Sequence, residues 1–314
     1  MKESQGLIFD IYKGTTHDGP GMRDTIFFKG CSLKCEWCQN PESIERKNRI
    51  WYNGRKCIGC GKCLENCPQS AIVSQETGIT IHEKLCTLCG ICTEQCPSGA
   101  LNRIAKGYTV EALLEEIIKD KPYFDISGGG VTLSGGEPLL QGEFVLRFLK
   151  KCRETGITAA LDTCGMASTE VFLSILPYVD IILYDLKIFD SRRHQKYTGC
   201  DNNIILEHAI MAADYVHENH GHELWIRTPI IPDATDSDEN ILQLAEFIRT
   251  KLTDSVARWE LCLFNRAPAF KYESLGWKWH YESKPAISEE KKQHLLFLAE
   301  KSGVKEIIAS GITA

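Results

Sequence analysis

The sequence predicts an α/β fold in which a series of βα units builds a parallel sheet, interrupted early by an inserted cysteine-rich module. Three observations carry this prediction. From about residue 106 onward, apolar runs of strand length alternate with segments whose apolar residues recur at helical spacing. From about 51 to 105 the composition shifts to Cys, Gly and Pro and the segment repeats itself, CIGCGKCLENCPQSAI against CTLCGICTEQCPSGAL. A length of 314 residues fits one large α/β domain carrying a graft. The expected division is therefore 1–50 for an N-terminal hairpin, a cysteine loop and the start of the sheet, 51–105 for the insert, and 106–314 for the remainder.

The elements follow in chain order. Extended segments at 7–12 and 25–28 flank the turn-rich Gly19-Pro20-Gly21, and Cys31 comes directly after the second. Later strands are expected at 130–133, 159–162, 181–186, 224–228, 260–264 and 306–309. Helical spacing marks 110–119, 143–155, 170–176, 205–216, 240–251 and 289–302. The polar motifs fall at or just past the carboxyl ends of these strands, where βα barrels and open α/β sheets place their active sites.

Composition narrows the chemistry. The formal charge is -6 with Lys and Arg dispersed among acids, which argues against a nucleic-acid partner. No apolar run reaches signal-peptide or membrane-spanning length, so a soluble, cytoplasmic protein without a membrane partner is expected. Fifteen cysteines without an export signal point to metal ligation rather than disulfides. Eleven fall into three spaced sets; Cys152, Cys164, Cys200 and Cys262 stand singly and read as buried thiols.

In the first set, Cys31, Cys35 and Cys38 lie within one short loop and can converge on a single centre. Iron-sulfur cubes normally take four thiolates, so three leave one iron open to an exogenous ligand. A zinc site is the alternative and would need a fourth ligand, for which His17 is the nearby candidate. The second and third sets are each C-x2-C-x2-C-x3-C-P: Cys57, Cys60, Cys63, Cys67, Pro68 and Cys86, Cys89, Cys92, Cys96, Pro97. In the bacterial ferredoxin run the fourth cysteine of each set ligates the other cluster. That rule assigns Cys57, Cys60, Cys63 and Cys96 to one [4Fe–4S] cluster and Cys86, Cys89, Cys92 and Cys67 to the other. The insert would relay electrons towards the first loop, or serve folding or docking.

The pattern Cys31-x3-Cys35-x-Trp37-Cys38 after a strand resembles the radical S-adenosylmethionine signature. With its lead-in Gly19-x-Gly21-x-Arg23-x3-Phe27-x2-Gly30, it is similar to the signature of glycyl radical enzyme activating enzymes. The resemblance implies a partial (β/α)6 barrel of the radical SAM type with a ferredoxin-like insert. It further implies that S-adenosylmethionine chelates the open iron, beside Trp37, Cys38 and Gln39. Ser134-Gly135-Gly136-Glu137-Pro138 resembles the GGE motif that approaches the amino end of the cofactor. Asp162-Thr163-Cys164-Gly165 and Tyr184-Asp185-Leu186-Lys187 resemble the D-T-N-G and D-L-K motifs around its carboxylate. There Asp162, Thr163 and Asp185 could hold a monovalent cation, and Cys164 stands where relatives commonly carry Asn. Arg227 resembles an arginine near the cofactor, against the plainer reading of an Arg covering apolar rim surface. Asn265 stands where many relatives carry His; it can hydrogen-bond a ribose hydroxyl but cannot change charge as His can.

The implied reaction is reductive cleavage of S-adenosylmethionine to methionine and a 5′-deoxyadenosyl radical, which takes a Cα hydrogen from a glycine of a partner glycyl radical enzyme. The chemistry sits at the cluster of Cys31, Cys35 and Cys38, so no side-chain acid or base need be catalytic. A flavodoxin or ferredoxin-type donor would supply the electron. Two rivals remain at this stage: a radical S-adenosylmethionine enzyme acting on a small molecule or tRNA base, and an electron-transfer protein built on the ferredoxin unit alone.

Overall fold

The computed structural model of the chain describes residues 5–311 and 313. A nine-stranded sheet organises it: β1 (Gly6–Thr15), β2 (Arg23–Phe28), β3 (Lys106–Tyr108), β4 (Gly130–Gly135), β5 (Thr158–Thr163), β6 (Ile181–Asp185), β7 (Glu223–Ile230), β8 (Val256–Leu263) and β9 (Glu306–Ser310), in the spatial order β9-β8-β7-β6-β5-β4-β2-β1-β3. From β2 through β4 to β9 every neighbouring pair is parallel, while β1 pairs antiparallel with both β2 and β3. All seven parallel strands fall on expected segments, β2 on 25–28 and β4 to β9 on the six later ones. Laid flat, six strand spacings would part β2 from β9 by about 30 Å. Yet Phe27 of β2 and Ser310 of β9 line one cavity, so the sheet curls into a partial barrel.

The local reasons are familiar ones. Strands β4 and β6 are almost wholly buried, as strands covered on both faces must be, and β6 reads as an apolar run from Ile181 to Tyr184. Helices Val110–Ile117, Thr169–Ile175, Ser191–Thr198, Asp238–Phe247 and Glu289–Ala299 begin at Thr109, Ser168, Asp190, Ser237 and Ser288, whose side chains each accept an early backbone N–H. The helix expected over 240–251 gives way after Phe247 to a wider π-helical turn, Ile248–Leu252. Helices Lys121–Ser127, Ser191–Thr198 and Ala269–Ser274 and strand β3 were not anticipated.

The insert departs between β2 and β4. It holds two small antiparallel pairs, Ile50–Tyr52 with Leu101–Arg103 and Ile72–Gln75 with Gly78–Ile81, around a minor core of Ile72, Cys92 and Leu101. Its two copies share local geometry: Gly61 and Gly90 adopt left-handed φ values of 74° and 89° immediately before the short helices Lys62–Glu65 and Ile91–Glu94. Among the described residues no helix is long and apolar enough to cross a membrane.

Candidate active site

The carboxyl ends of the parallel strands open into a cavity of about 640 Å³. Cys31, Cys35 and Cys38 line one wall, with Trp37 and Gln39 beside them. The loop that carries them is anchored through its backbone. Gly30 N donates to Ser43 O at 2.7 Å, Cys31 N to Ile44 O at 3.1 Å, and Lys34 N to Thr198 O at 2.7 Å. Beneath the loop, Gly136 N donates to Phe28 O and Glu137 N to Gly30 O, both at 2.8 Å. This contact is why two glycines stand at the strand end: Gly135 has φ +111°, and a Cβ on Gly136 would run into the Gly30 carbonyl.

A segment beyond β8, 268–287, straps the loop from outside. Tyr272 donates its hydroxyl to Cys38 O at 3.1 Å, Trp279 Nε1 donates to Glu36 O at 3.2 Å, and Lys271 pairs with Glu42 at 2.6 Å. The Tyr272 and Trp279 rings stack at 5.3 Å, and Tyr281 meets Trp37 edge-on at 6.4 Å. Nothing in the spacing of 268–287 signals this role; its unusual density of Trp and Tyr was the available hint.

The opposite wall is polar, and strand register assembles it. Asp185, Arg227 and Glu260 lie directly opposite one another on β6, β7 and β8. Asp162 on β5 is level with Leu183, two residues before Asp185 and therefore on the same face. Arg227 reaches Asp162 and Glu260 at 3.4 Å each, and Lys187 pairs with Asp185. Burial pushes the Asp162 carboxyl up to about 6, with Arg227 pulling it down and Asp185 adding to the rise. Burial also works against the Lys187 and Arg227 cations, but Asp185 beside Lys187, and Cys262, Asp162 and Glu260 beside Arg227, outweigh it and both pKa values rise. Arg227 is thus the hub of a buried ion network rather than a rim cover. Glu260 was missed by sequence reasoning; an acid in the otherwise apolar Trp259-Glu260-Leu261 of a central strand was its signal.

Of the cofactor contacts expected from sequence, Trp37, Cys38, Gln39, Gly135, Gly136, Asp162, Thr163, Asp185, Lys187, Arg227 and Asn265 all line the cavity. Two lie elsewhere. Leu186 is a core residue behind the wall. Glu137 is fully buried below it, where Oε1 accepts from Leu139 N and Thr163 Oγ1, and Oε2 from Cys164 N and Cys164 Sγ. Its carboxylate ties the glycine turn of β4 to the turn after β5. Asn265 commits its oxygen to Ala267 N at 3.0 Å, leaving its NH2 for the cavity. His17 lines the same cavity.

The insert brings its cysteines together crosswise. Cys57, Cys60, Cys63 and Cys96 ring one cavity, and Cys67, Cys86, Cys89 and Cys92 ring another. The fourth cysteine of each run thus lies beside the first three of the other run.

A curled parallel sheet whose strand ends set three thiols across a cavity from a buried wall of two cations and three carboxyls has the architecture of an α/β enzyme site that can receive a polar cofactor. The sequence model of the radical SAM superfamily matches residues 25–245. The choline trimethylamine-lyase activating enzyme of Oleidesulfovibrio alaskensis is 38% identical over 293 residues, 92% of this chain and 93% of that protein. The (2S)-3-sulfopropanediol dehydratase activating enzyme of Klebsiella oxytoca is 38% identical over 301 residues, 94% of this chain and 93% of that protein. Among solved structures, a radical SAM methyltransferase from Sphaerobacter thermophilus is similar over 96% of this chain and 77% of that one, with a TM-score of 0.51 at 14% identity, a likeness of fold alone. The chain belongs to the radical SAM superfamily and, within it, to the glycyl radical enzyme activating enzymes. Membership implies S-adenosylmethionine and a [4Fe–4S] cluster.

The residues present fit both groups. Three thiols on one wall leave one cluster iron for an outside ligand. Across from them the glycine turn Gly135-Gly136, where an added Cβ would clash with backbone, and the cationic Lys187 and Arg227 line the same cavity, a lining that suits an amino-acid group.

Proposed function

We propose that this chain installs a radical on a glycine of a partner glycyl radical enzyme. The observation that carries the reading is the convergence of Cys31, Cys35 and Cys38 with the strand-end residues Asp162, Asp185, Lys187 and Arg227 on one cavity. When bound, the reduced cluster supplies the electron that cleaves S-adenosylmethionine to methionine and a 5′-deoxyadenosyl radical, which takes a Cα hydrogen from the partner glycine.

The protein's own residues do the holding. Gly135 and Gly136 let backbone approach the amino group, Lys187 and Arg227 face the carboxylate, and Asn265 offers its amide to the ribose. Trp37 and Phe264 close the apolar side and limit water. A monovalent cation beside Asp162, Thr163 and Asp185 has weaker support, since each acid already faces a cationic side chain.

The crosswise cysteine groups of the insert support two further [4Fe–4S] clusters, three in all, with 51–105 acting as a relay from a flavodoxin or ferredoxin-type donor. Among the described residues no group of three or more His, Cys, Asp or Glu side chains is drawn in tightly enough for a single ion. The doubled C-x2-C-x2-C-x3-C-P run, with the fourth cysteine of each copy beside the other copy's thiols, favours clusters over zinc. A cytoplasmic setting agrees with reduced thiols.

The test is anaerobic. Reconstituted protein with reductant and S-adenosylmethionine should release 5′-deoxyadenosine, and Cys35→Ala should abolish release. Undiminished cleavage by that variant would sink the assignment.

A further inference from the structure

The insert meets the strap at a cavity of about 250 Å³, to which the strap contributes Ser274, Leu275 and Gly276. Among the described residues, Cys86 is the one cysteine of the insert that lines it. Cys86 belongs to the group of Cys67, Cys86, Cys89 and Cys92. A side chain fastens its loop to the strap. Arg49 pairs with Glu83, three residues before Cys86, at 2.5 Å, and its guanidinium lies 6.0 Å from the centre of the Trp277 ring. Trp277 in turn folds back on Tyr272: its N donates to Tyr272 O at 2.9 Å, and the two rings meet edge-on at 6.5 Å. Tyr272 donates its hydroxyl to Cys38 O at 3.1 Å. Glu83, Arg49, Trp277 and Tyr272 therefore link the loop of one insert group to the loop of Cys31, Cys35 and Cys38. The group of Cys57, Cys60, Cys63 and Cys96 has a weaker tie to the strap. Arg55, close to Cys57, pairs with Glu273 at 3.1 Å, but the two side chains are 78% and 71% exposed, and water competes with such a pair. Each group has an exposed ligand, Cys60 in one and Cys89 in the other, so exposure does not rank them; the contacts with the strap do.

We propose that electrons leave the insert from the group of Cys67, Cys86, Cys89 and Cys92 and cross to the cluster of Cys31, Cys35 and Cys38 through Trp277 and Tyr272 of the strap. The group of Cys57, Cys60, Cys63 and Cys96 stands upstream. The inference rests on the cluster and relay readings given above. For each S-adenosylmethionine cleaved, the exit cluster is oxidised by one electron and the open cluster reduced by one, and a flavodoxin or ferredoxin-type donor refills the insert. Trp277 and Tyr272 touch no reacting atom; they fill with packed side chains a span that the cavity would otherwise leave to solvent.

The experiment needs no external donor. The reconstituted full-length protein is fully reduced under anaerobic conditions, freed of reductant and mixed with excess S-adenosylmethionine. 5′-Deoxyadenosine is counted while electron paramagnetic resonance follows the clusters. Three reduced clusters store about three electrons. The first is already on the open cluster, so it gives a first phase that the strap does not affect; later phases must draw on the insert. A parent without a first phase would sink the radical-cluster reading, and a parent with a first phase alone would sink the relay reading. Where the parent shows both, Trp277→Leu should keep the first phase, slow the later ones severalfold and leave the insert signals reduced for longer, and Trp277→Phe should restore them. Cys86→Ser should keep the first phase and strand the electron of the upstream cluster, whereas Cys96→Ser should still deliver the electron of the exit cluster at the parent rate. Later phases at the parent rate in Trp277→Leu, or lost in Cys96→Ser and kept in Cys86→Ser, overturn the proposal. Should Trp277→Leu fail to hold its clusters, the two cysteine variants decide.

Discussion

Replacing Glu137 with Gln tests the tie between the two catalytic turns. Each carboxylate oxygen accepts one backbone N–H and one rotatable donor: Leu139 N with Thr163 Oγ1 at Oε1, Cys164 N with Cys164 Sγ at Oε2. A glutamine offers one oxygen and one NH2. Whichever way it is turned, one backbone N–H faces another donor. The hydroxyl or thiol beside it can rotate away, but a backbone N–H cannot. A buried donor left unmet costs about 1–3 kcal/mol, and weaker bonds to the neutral acceptor add to this. Burial raises the Glu137 pKa, so removing the charge recovers some desolvation. That recovery cannot mend a donor facing a donor. The net expectation is a loss of about 2 kcal/mol, or roughly 3 °C in Tm for a chain of this size. Anaerobic thermal melts of reconstituted Glu137→Gln and parent protein, followed by far-ultraviolet circular dichroism, would measure it. A variant within about 0.5 kcal/mol of the parent would refute the idea that the carboxylate holds these turns together.

Other outcomes follow from the same geometry. The folded chain binds a proton at Asp162 more tightly than the unfolded chain does, because burial lifts the pKa from 3.8 to about 6. The stability from that proton is fully present below about pH 3.8 and is lost as pH rises through about 6, a swing of roughly 3 kcal/mol. Asp162→Asn should therefore flatten the stability profile across that window in pH-dependent urea unfolding; an unchanged slope would count against it. Tyr272→Phe removes the hydroxyl bond to Cys38 O and should loosen the cysteine loop by about 1 kcal/mol, read as faster iron release to a chelator. Iron analysis of the reconstituted parent should give about twelve irons per chain, against about eight for the ferredoxin unit alone. Cys96→Ser should lower the count by about four while leaving the group of Cys67, Cys86, Cys89 and Cys92 intact.

Much of this was legible along the chain because its signals are local. The thiols of Cys31, Cys35 and Cys38 share one loop, the two C-x2-C-x2-C-x3-C-P runs stand out by their spacing, and apolar periodicity marked the strands that became β4 to β9. The motif ends at Gly135, Asp162, Asp185 and Lys187 were legible for the same reason. Four features were decided only by tertiary structure. Glu260 joins Arg227 and Asp185 because of the register of three strands far apart in sequence. The 268–287 strap is defined by what it covers, and an isolated run of Trp and Tyr does not say where it will lie. Glu137 sits inside a motif expected to face the cofactor, yet its side chain turns inward to satisfy donors that only the packed turns create. Cys164 read as a lone buried thiol, and only the packed turns set its S–H on Glu137 Oε2. Spacing specifies which atoms can share a loop, but side-chain direction and cross-strand neighbours come from the pairing of distant segments. The sequence alone thus determined the class of chemistry, while the folded sheet decided which residues hold its groups in place.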